Sequence, residues 1–548
     1  MRQWWEQPKQ QAIAYDWFSE REVAGYHRAQ SSANATLDHS HVDDATWRDL
    51  DVLSYLKRIS AQASIFARQM LYHRLRSGAD NAEFAAPLLE AIEGGHLKTA
   101  AALAATRATR HKLRCIDVDI TPTLFHGEGI AVPGWTRHIG TAAWVALAAL
   151  LLPLSPVAGL TRVATLTPWL VGAYLVFNAW TQIKLYRTLV RWNTQRDGVL
   201  AMLQAAQALG QTGQTMPHAA LQLLTRQLPE IERLMRILSP SWIDRTPMLA
   251  EYANLFALYQ YAQLAARTTR LQTHLHALQT VYVQLADCEA QLCLLEHVQT
   301  LPVVCRAHYT EATHGLSGLK VCGMVNPLLD RPQPLSMDLQ GKGAFVSGQN
   351  GVGKSTLLRG LGLNLLAARA FGFCYAASAT VPRLAVWSSI QNEDSLDTAD
   401  SLYMAEMRRA ETLLHVAEHP HSAVFLIDEI FRGTNNAESV AAATAVLSHL
   451  AAHNLVVVSS HNVVLAPLLK PWLVPLRLVP NPAGGAAALV LEPGVLVHTN
   501  GLQMMQNYRF PATVHTTASQ VYGWFASYVA QPDHFPNLAA PPPNPVSL

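Results

Sequence analysis

Residues 348–355 read Gly-Gln-Asn-Gly-Val-Gly-Lys-Ser, which is the pattern G-x-x-x-x-G-K-S. A short apolar run, residues 344–346, precedes the pattern, and a run with helical character begins at Thr356. In the order strand, glycine loop, helix, the N–H groups of the loop converge on an anion at the N-terminus of the helix. A glycine-rich turn with a chance lysine would leave the two neighbouring runs unexplained. The pattern therefore predicts a phosphate-binding loop in an α/β domain.

The residues of this loop have chemically distinct expected roles. Gly348, Gly351 and Gly353 allow backbone angles and a close approach that a Cβ atom would block. Lys354 can reach the β- and γ-phosphates of ATP, and the Ser355 hydroxyl can bind Mg²⁺. The residues that we expect to contact the nucleotide are Gly348, Gln349, Asn350, Gly351, Val352, Gly353, Lys354, Ser355 and Thr356.

Two further apolar runs end in residues that suit hydrolysis. Residues 423–427 carry no polar side chain, as in a buried parallel strand, and Asp428 and Glu429 follow them. Because ligands bind at the carboxyl ends of parallel strands, we expect Asp428 to hold Mg²⁺ and Glu429 to polarise the attacking water. The run 455–460 ends at His461, whose imidazole could sense the γ-phosphate or the water. Taken alone, His461 would be interpreted as a surface histidine at a strand end.

The composition bounds the partners and the compartment only loosely. Half of the 548 residues are hydrophobic, 15% are charged, and the net charge is +2. A total so close to neutral neither requires nor excludes nucleic acid, since a basic groove can lie within a balanced chain. The six cysteines are scattered without metal-type pairs, and the N-terminus lacks the apolar core of a signal peptide. We therefore expect reduced thiols in a cytosolic setting.

An apolar stretch interrupts a largely helical region. Between His138 and Lys184 the only charged side chain is Arg162, and residues 139–160 and 163–183 are each long enough to cross a bilayer. Basic residues lie at both ends of the pair, so both ends are expected in the cytoplasm. The stretch predicts a transmembrane hairpin in a multi-pass inner-membrane protein whose nucleotide-binding domain is cytoplasmic. The alternative is a helical hairpin buried in a large soluble core.

The rest of the chain separates into helical and mixed parts. Apolar residues at helical spacing follow Thr46, which resembles a helix cap, and a helix over 87–113 is expected to break near Gly94. Strands and helices alternate after residue 301, which favours a mostly parallel sheet. The predicted segments are an N-terminal segment (1–45), a first helical part (46–137), the hairpin (138–186), a second helical part (187–300), the α/β domain (301–530) and a proline-rich disordered tail (531–548).

Together the motifs resemble those of the MutS family of ATP-dependent DNA mismatch-repair proteins, which are related to the ABC ATPases. Residues 347–356 match the family's phosphate loop, although Gln349 and Gly351 replace its Pro and Met. Residues 428–434 read Asp-Glu-Ile-Phe-Arg-Gly-Thr, where the family has Gly in place of Phe431; residues 435–439 depart from its pattern. The resemblance implies an ABC-like ATPase domain beside an all-α lever region.

Two more segments carry the resemblance and imply further site residues. Residues 401–407, Ser-Leu-Tyr-Met-Ala-Glu-Met, resemble the family's signature segment. In the family its serine contacts the γ-phosphate held by the partner subunit, so Ser401 would act in trans in a head-to-tail homodimer. Residues 325–328 resemble the segment on the adenine side of the nucleotide, which implies contacts from Asn326 and Pro327.

The resemblance is strong over 301–525 and weak over 45–115 and 190–300. Only about 45 residues precede the lever region, so we expect the mismatch-reading domain to be missing, and Phe18-Ser19-Glu20 is treated as a chance match to its Phe-x-Glu wedge. With the predicted hairpin, the chain resembles a membrane-anchored branch of the family.

Three functional classes compete. The first is an ATP-hydrolysing, DNA-binding clamp of mismatch-repair type held at the membrane, for which DNA binding would depend steeply on salt. The second is a membrane-anchored ATPase switch that acts on a protein partner without mismatch recognition. The third, an ABC-type transporter, ranks last, because four spans per dimer without interior charges make a poor substrate pathway.

Overall fold

The chain forms two compact units. The helical unit comprises Met1–Ala35, Ser60–His73 and His96–Glu296, and the sheet unit comprises Thr36–Ile59, Arg74–Gly95 and His297–Leu548. The computed structural model describes residues 19–33, 41–78, 82–94, 96–116, 118–126, 132–151, 167–216, 218–244, 246–310, 318–390, 402–418, 422–481, 488–496, 511, 514 and 516–522.

Helices account for the regular structure of the described residues before the first strand. They are α1 (Glu20–Val23), α2 (Gly25–Ala33), α3 (Asp44–Asp49), α4 (Val52–Ile59), α5 (Ile65–Ser77), α6 (Ala82–Ile92), α7 (His96–Leu113), α8 (Thr121–Phe125), α9 (Ile139–Leu151), α10 (Thr167–Thr215), α11 (Gln222–Leu238), α12 (Pro247–Ala257), α13 (Tyr259–Thr273) and α14 (Leu275–Gln299), with 3-10 turns at Gly134–His138 and Ala219–Leu221. The predicted break near Gly94 is confirmed, since it falls between α6 and α7.

In the described parts of the apolar stretch, residues 139–151 and 167–183, the structure does not have two membrane spans. Helix α9 has 13 residues, and residues 167–183 of the second predicted span are the first part of α10, a helix of 49 residues. Within it, Asn178 Nδ2 donates to the carbonyl of Leu255 at 3.0 Å and Gln182 Nε2 donates to Asn178 Oδ1 at 2.6 Å. In the part of the chain that the structure describes, no helix combines the length and the apolar character needed to cross a membrane. The predicted multi-pass membrane location is therefore wrong, and the predicted hairpin is not supported, although its residues 152–166 lie outside the described residues.

The misleading apolar character comes in part from side chains on the surface of the helical unit. Trp169 and Ile183 of α10 are 80% and 82% exposed, and Trp144 of α9 and Phe256 of α12 are also exposed. These side chains, on α9, α10 and α12, form what we call the apolar surface. Several large apolar side chains exposed on neighbouring helices suit an interaction site.

The sheet unit contains two sheets. Its strands are β1 (Cys305–Thr310), β2 (Leu319–Met324), β3 (Leu335–Leu339), β4 (Gly343–Gly348), β5 (Phe373–Cys374), β6 (Ser378–Pro382), β7 (Ala385–Ser389), β8 (Ala423–Asp428), β9 (Leu455–Ser459), β10 (Leu473–Pro480) and β11 (Leu489–Pro493). The helices among them are α15 (Lys354–Phe371), α16 (Leu402–Ala417), α17 (Asn436–Ala451) and α18 (Leu465–Leu469).

The larger sheet has the order β11-β10-β4-β9-β8-β7 and the smaller sheet has the order β3-β2-β6-β1-β5. In the larger sheet β10, β4, β9, β8 and β7 run parallel, and only the pairing of β11 with β10 is antiparallel. The side chains of β4 and β9 are buried along their whole lengths, as expected for strands covered on both faces. The predicted mostly parallel sheet is confirmed for this larger sheet. The smaller sheet was not predicted, and in it only β1 and β6 pair in parallel.

Helix α3 packs against the strand β7 of this sheet. Its N-cap is Asp43, whose side chain accepts from the Thr46 N–H, so the expectation that Thr46 itself caps the helix is wrong. The Thr46 hydroxyl instead accepts from the N–H of Ser388 at 2.9 Å, and Asp49 Oδ2 accepts from the Ser388 hydroxyl at 2.7 Å. Helix α3 thereby fixes the carboxyl end of β7.

A half-buried histidine makes the stability of the sheet unit depend on pH. His297 Nε2 lies 3.0 Å from the Tyr375 hydroxyl, which lies 2.8 Å from the Tyr55 hydroxyl. Burial, with a smaller effect of Arg58, lowers the pKa of His297 to about 4. A histidine whose pKa is lower in the folded state binds more protons in the unfolded state, so stability falls as the pH drops below about 6.5.

We therefore expect the unfolding free energy to fall by up to about 3 kcal/mol between about pH 6.5 and pH 4 on account of His297. Denaturant titrations across this range would measure the loss, and His297→Gln should remove that share of it. Equal pH slopes for the wild type and His297→Gln would contradict the assignment, whereas His415→Gln, which changes an exposed histidine, should leave the slope unchanged.

Candidate active site

The glycine loop joins β4 to α15 and is closed around its own lysine. Gly351 and Gly353 have φ angles of 75° and 105°, in the left-handed region that favours glycine. The ammonium group of Lys354, at the first position of α15, donates to the carbonyl of Gly348 at 3.0 Å and to that of Gln349 at 3.2 Å. The loop thus holds a cation at a helix N-terminus, where an anion is favoured.

A set of oxygen ligands lies beside the loop. The hydroxyl of Ser355 donates to Asp428 Oδ2 at the end of β8, and the hydroxyl of Ser459 at the end of β9 donates to Asp428 Oδ1. Carboxylate and hydroxyl oxygens suit Mg²⁺, which prefers hard ligands. Ser355 and Asp428 therefore fit the metal expected from the sequence, and Ser459 orients the carboxylate between them.

Glu429, His461 and Lys354 form a chain of contacts at the same edge. His461 Nε2 lies 3.2 Å from Glu429 Oε1 and 3.2 Å from Lys354 Nζ. Burial, reinforced by Lys354 and opposed by Glu429 and Asp428, lowers the pKa of His461. Burial also lowers the pKa of Lys354, while Glu429 and Asp428 oppose that shift. A neutral imidazole can donate through Nε2 to Glu429 or accept there from Lys354, but one nitrogen cannot do both.

The segment after Glu429 has an unusual backbone. Glu429 and Phe431 have φ angles of 55° and 58°, although neither is glycine. The N–H of Glu429 donates to the carbonyl of Ser459 at 2.9 Å. Phe431 is buried with its ring centroid 6.2 Å from that of Tyr403 in α16, and a Cβ at Gly433 would lie 2.8 Å from Tyr403 Cβ. The loop from Glu429 to Gly433 is therefore held against α16.

The other predicted site residues have different outcomes. The side chain of Asn326 donates to the carbonyl of Thr356 at 3.2 Å, so residues 326–327 lie beside the first turns of α15. Ser401 lies outside the described residues, and its role stays a prediction. Residues 435–439, which depart from the expected pattern, begin α17 through the side chain of Asn435, which accepts from the N–H of Glu438 at 2.9 Å.

Three polar residues of this site had no predicted role. Ser459 contacts Asp428, and Arg432 Nε lies 3.4 Å from Glu406 Oε1 and 3.9 Å from Glu429 Oε2. The sequence contained a signal for each, since Ser459 lies in the third apolar run and the other two fall inside segments 428–434 and 401–407. Their contacts depend on the pairing of strands and helices far apart in the chain.

The comparison with known families agrees with this geometry. Residues 344–523 match the family model for MutS domain V, which is the ATPase domain of the MutS family. The match begins in β4, immediately before the glycine loop, and includes Asp428, Glu429 and His461. Over these residues the chain is therefore similar to the ATPase domain of the MutS family.

Proposed function

We propose that this chain binds ATP with Mg²⁺ and hydrolyses the γ-phosphate. The observation that carries the proposal is the convergence of Lys354, the Ser355–Asp428 contact and the Glu429–His461 contact at the carboxyl ends of three parallel strands. Ligands of open α/β sheets bind at such edges. The match of residues 344–523 to MutS domain V, an ATPase domain, supports the same activity.

Each side chain of the site has a separate role in hydrolysis. Lys354 exchanges its contacts with the carbonyls of Gly348 and Gln349 for the β- and γ-phosphate oxygens, which neutralises charge as the bond breaks. Mg²⁺, held by Ser355 and Asp428, would supply a Lewis acid for the phosphate oxygens. Glu429 accepts a proton from the attacking water, and His461, 3.2 Å away, fixes the orientation of its carboxylate.

The complete site requires a second copy of the chain. Ser401 of one copy would contact the γ-phosphate held by the Lys354 loop of the other, so that ATP lies between two head-to-tail ATPase domains. The support for this arrangement is the family, whose members act as dimers, and the position of Ser401 immediately before α16. ATP would then favour the closed dimer because it contacts both copies only in that state.

The biological role we propose is a DNA-binding clamp of mismatch-repair type. The match to MutS domain V supports it, since members of the MutS family act on DNA. The helical unit would convert closure of the ATPase domains into movement of the clamp. DNA held mainly through phosphate contacts should be released steeply as salt increases.

The second candidate role is an ATPase switch that acts on a protein partner without recognising mismatches. The apolar surface of α9, α10 and α12 favours this role, because exposed Trp144, Trp169 and Phe256 suit contact with a protein rather than with phosphates.

Replacing Lys354 by alanine should weaken ATP binding by about tenfold or more, since it removes charge-assisted hydrogen bonds to phosphate, and turnover should be lost. Titration of a fluorescent ATP analogue and a phosphate-release assay would measure the two effects. Lys342→Ala is the matched control, because Lys342 is exposed before the same strand, and it should behave like the wild type. Turnover near the wild-type rate in Lys354→Ala would refute the site.

Replacing Glu429 by glutamine should leave ATP affinity within about threefold of the wild type and lower hydrolysis by about 10²-fold or more, because only the proton acceptor is lost. ATP should accumulate on a closed dimer, which light scattering coupled to gel filtration would detect. A variant that stays monomeric at saturating ATP would contradict the shared site.

A test of ATPase stimulation by DNA distinguishes the DNA-binding clamp from the switch that acts on a protein partner. Hydrolysis would be measured with no DNA and with perfect, mismatched and branched duplexes, and binding would be followed from about 50 to 200 mM salt. The clamp predicts stimulation and a loss of affinity of about tenfold or more across this range. ATPase activity that no DNA changes, with no salt-dependent binding, would favour the switch.

A further inference from the structure

A buried carboxylate, Glu406, is linked through Arg432 to Glu429, the proposed catalytic base. Glu406, in the second turn of α16, is 2% exposed, and its Oε1 accepts from Arg432 Nε at 3.4 Å. Among the described residues, its other oxygen, Oε2, is buried without a hydrogen-bond partner. The side chain thus has a single cationic contact in the described structure, and leaving such a carboxylate unpaired is costly. This cost holds Arg432 beside Glu406.

Arg432 also reaches the catalytic loop. The same Nε atom lies 3.9 Å from Glu429 Oε2, on the side opposite the contact between Glu429 Oε1 and His461. The Glu429 carboxylate is therefore flanked by an arginine and an imidazole, one on each oxygen. Glu406 is buried, whereas the side chain of Arg432 is 42% exposed. The position of Glu406 is therefore set by packing, and the position of Arg432 is set by its contact with Glu406.

Packing around the pair restricts the same loop. Phe431, next to Arg432, is buried against Tyr403, and Gly433 lies too close to Tyr403 to accept a Cβ. Tyr403 and Glu406 lie three positions apart on α16 and therefore on one face of the helix. One face of α16 thus contacts the loop both through the ring of Phe431 and through the guanidinium of Arg432.

We infer that Glu406 and Arg432 are positioning residues for hydrolysis: Glu406 fixes Arg432, and Arg432 fixes the carboxylate of Glu429 against the attacking water. The inference rests on the proposed ATPase function. It assigns neither residue a contact with the nucleotide. Loss of either should therefore lower kcat and leave ATP affinity unchanged, because a general base must lie within hydrogen-bond reach of its proton in a defined geometry.

The test compares Glu406→Gln, Arg432→Lys and the double variant in the full-length chain. Each single variant should lower kcat by about tenfold or more, with the Kd for ATP within about threefold of the wild type. The double variant should be no slower than the slower single variant, because both changes break one chain of contacts. The same non-additivity should appear in thermal unfolding without nucleotide. Glu411→Gln is the matched control, since Glu411 is exposed on the same helix, and its kcat should stay within about twofold of the wild type.

Other outcomes would overturn the inference. If Arg432→Lys weakens ATP binding in proportion to kcat, Arg432 contacts the nucleotide instead. If the two changes multiply, the residues act separately. If Glu406→Gln does not fold, the test depends on Arg432→Lys alone, which should fold because the side chain of Arg432 is partly exposed. A kcat of Arg432→Lys equal to that of the wild type would refute the inference. A wild-type chain no faster than Lys354→Ala would refute the proposed ATPase function itself, whatever Glu406 does.

Discussion

The hydrogen bonding of β9 between β4 and β8 places every strand-end residue of the site. In the parallel register, Ser459 lies opposite Asp428 on one side and opposite Val346, two residues before the glycine loop, on the other. A shift of one residue in either pairing would turn these side chains to the other face of the sheet. The contact of Ser459 with Asp428, and the approach of His461 to Lys354 and Glu429, both depend on that register.

The sequence revealed the strands of this site because they are buried on both faces. The runs at 344–346, 423–427 and 455–460 have no polar alternation, and the structure has strands β4, β8 and β9 there. Sequence reasoning did not predict the side-chain contacts that join α16 to the end of β7 and to the start of α3. Arg409 of α16 donates to the Ser388 carbonyl at 2.8 Å and pairs with Asp43, more than 300 residues earlier in the chain. Local periodicity carries no information about such pairs.

The failed prediction of a membrane hairpin has a related physical cause. Hydropathy counts apolar residues but ignores where polar ones point, and two polar residues in the apolar first part of α10, Tyr174 and Asn178, make specific contacts. Tyr174 donates to the carbonyl of Phe256 at 2.9 Å, and Asn178 donates to that of Leu255, so α10 is held to the end of α12. Where the surface of α10 would ordinarily carry charged residues, its first part carries exposed apolar side chains. The sequence there therefore has as few charges as a membrane span.

The loop after Asp428 shows how packing can maintain a strained backbone. Left-handed conformations at Glu429 and Phe431 cost about 1–2 kcal/mol each, because a Cβ meets the carbonyl oxygen there. Glycine at position 431, which the related motif carries, would avoid one of these costs. The buried ring of Phe431 offsets it, since burying a phenyl group stabilises by about 2–3 kcal/mol. The ring also packs on Tyr403, so the phenylalanine gives the loop a contact with α16 that glycine cannot make. In this chain the conformation of Glu429 therefore depends on α16, the helix that begins next to Ser401.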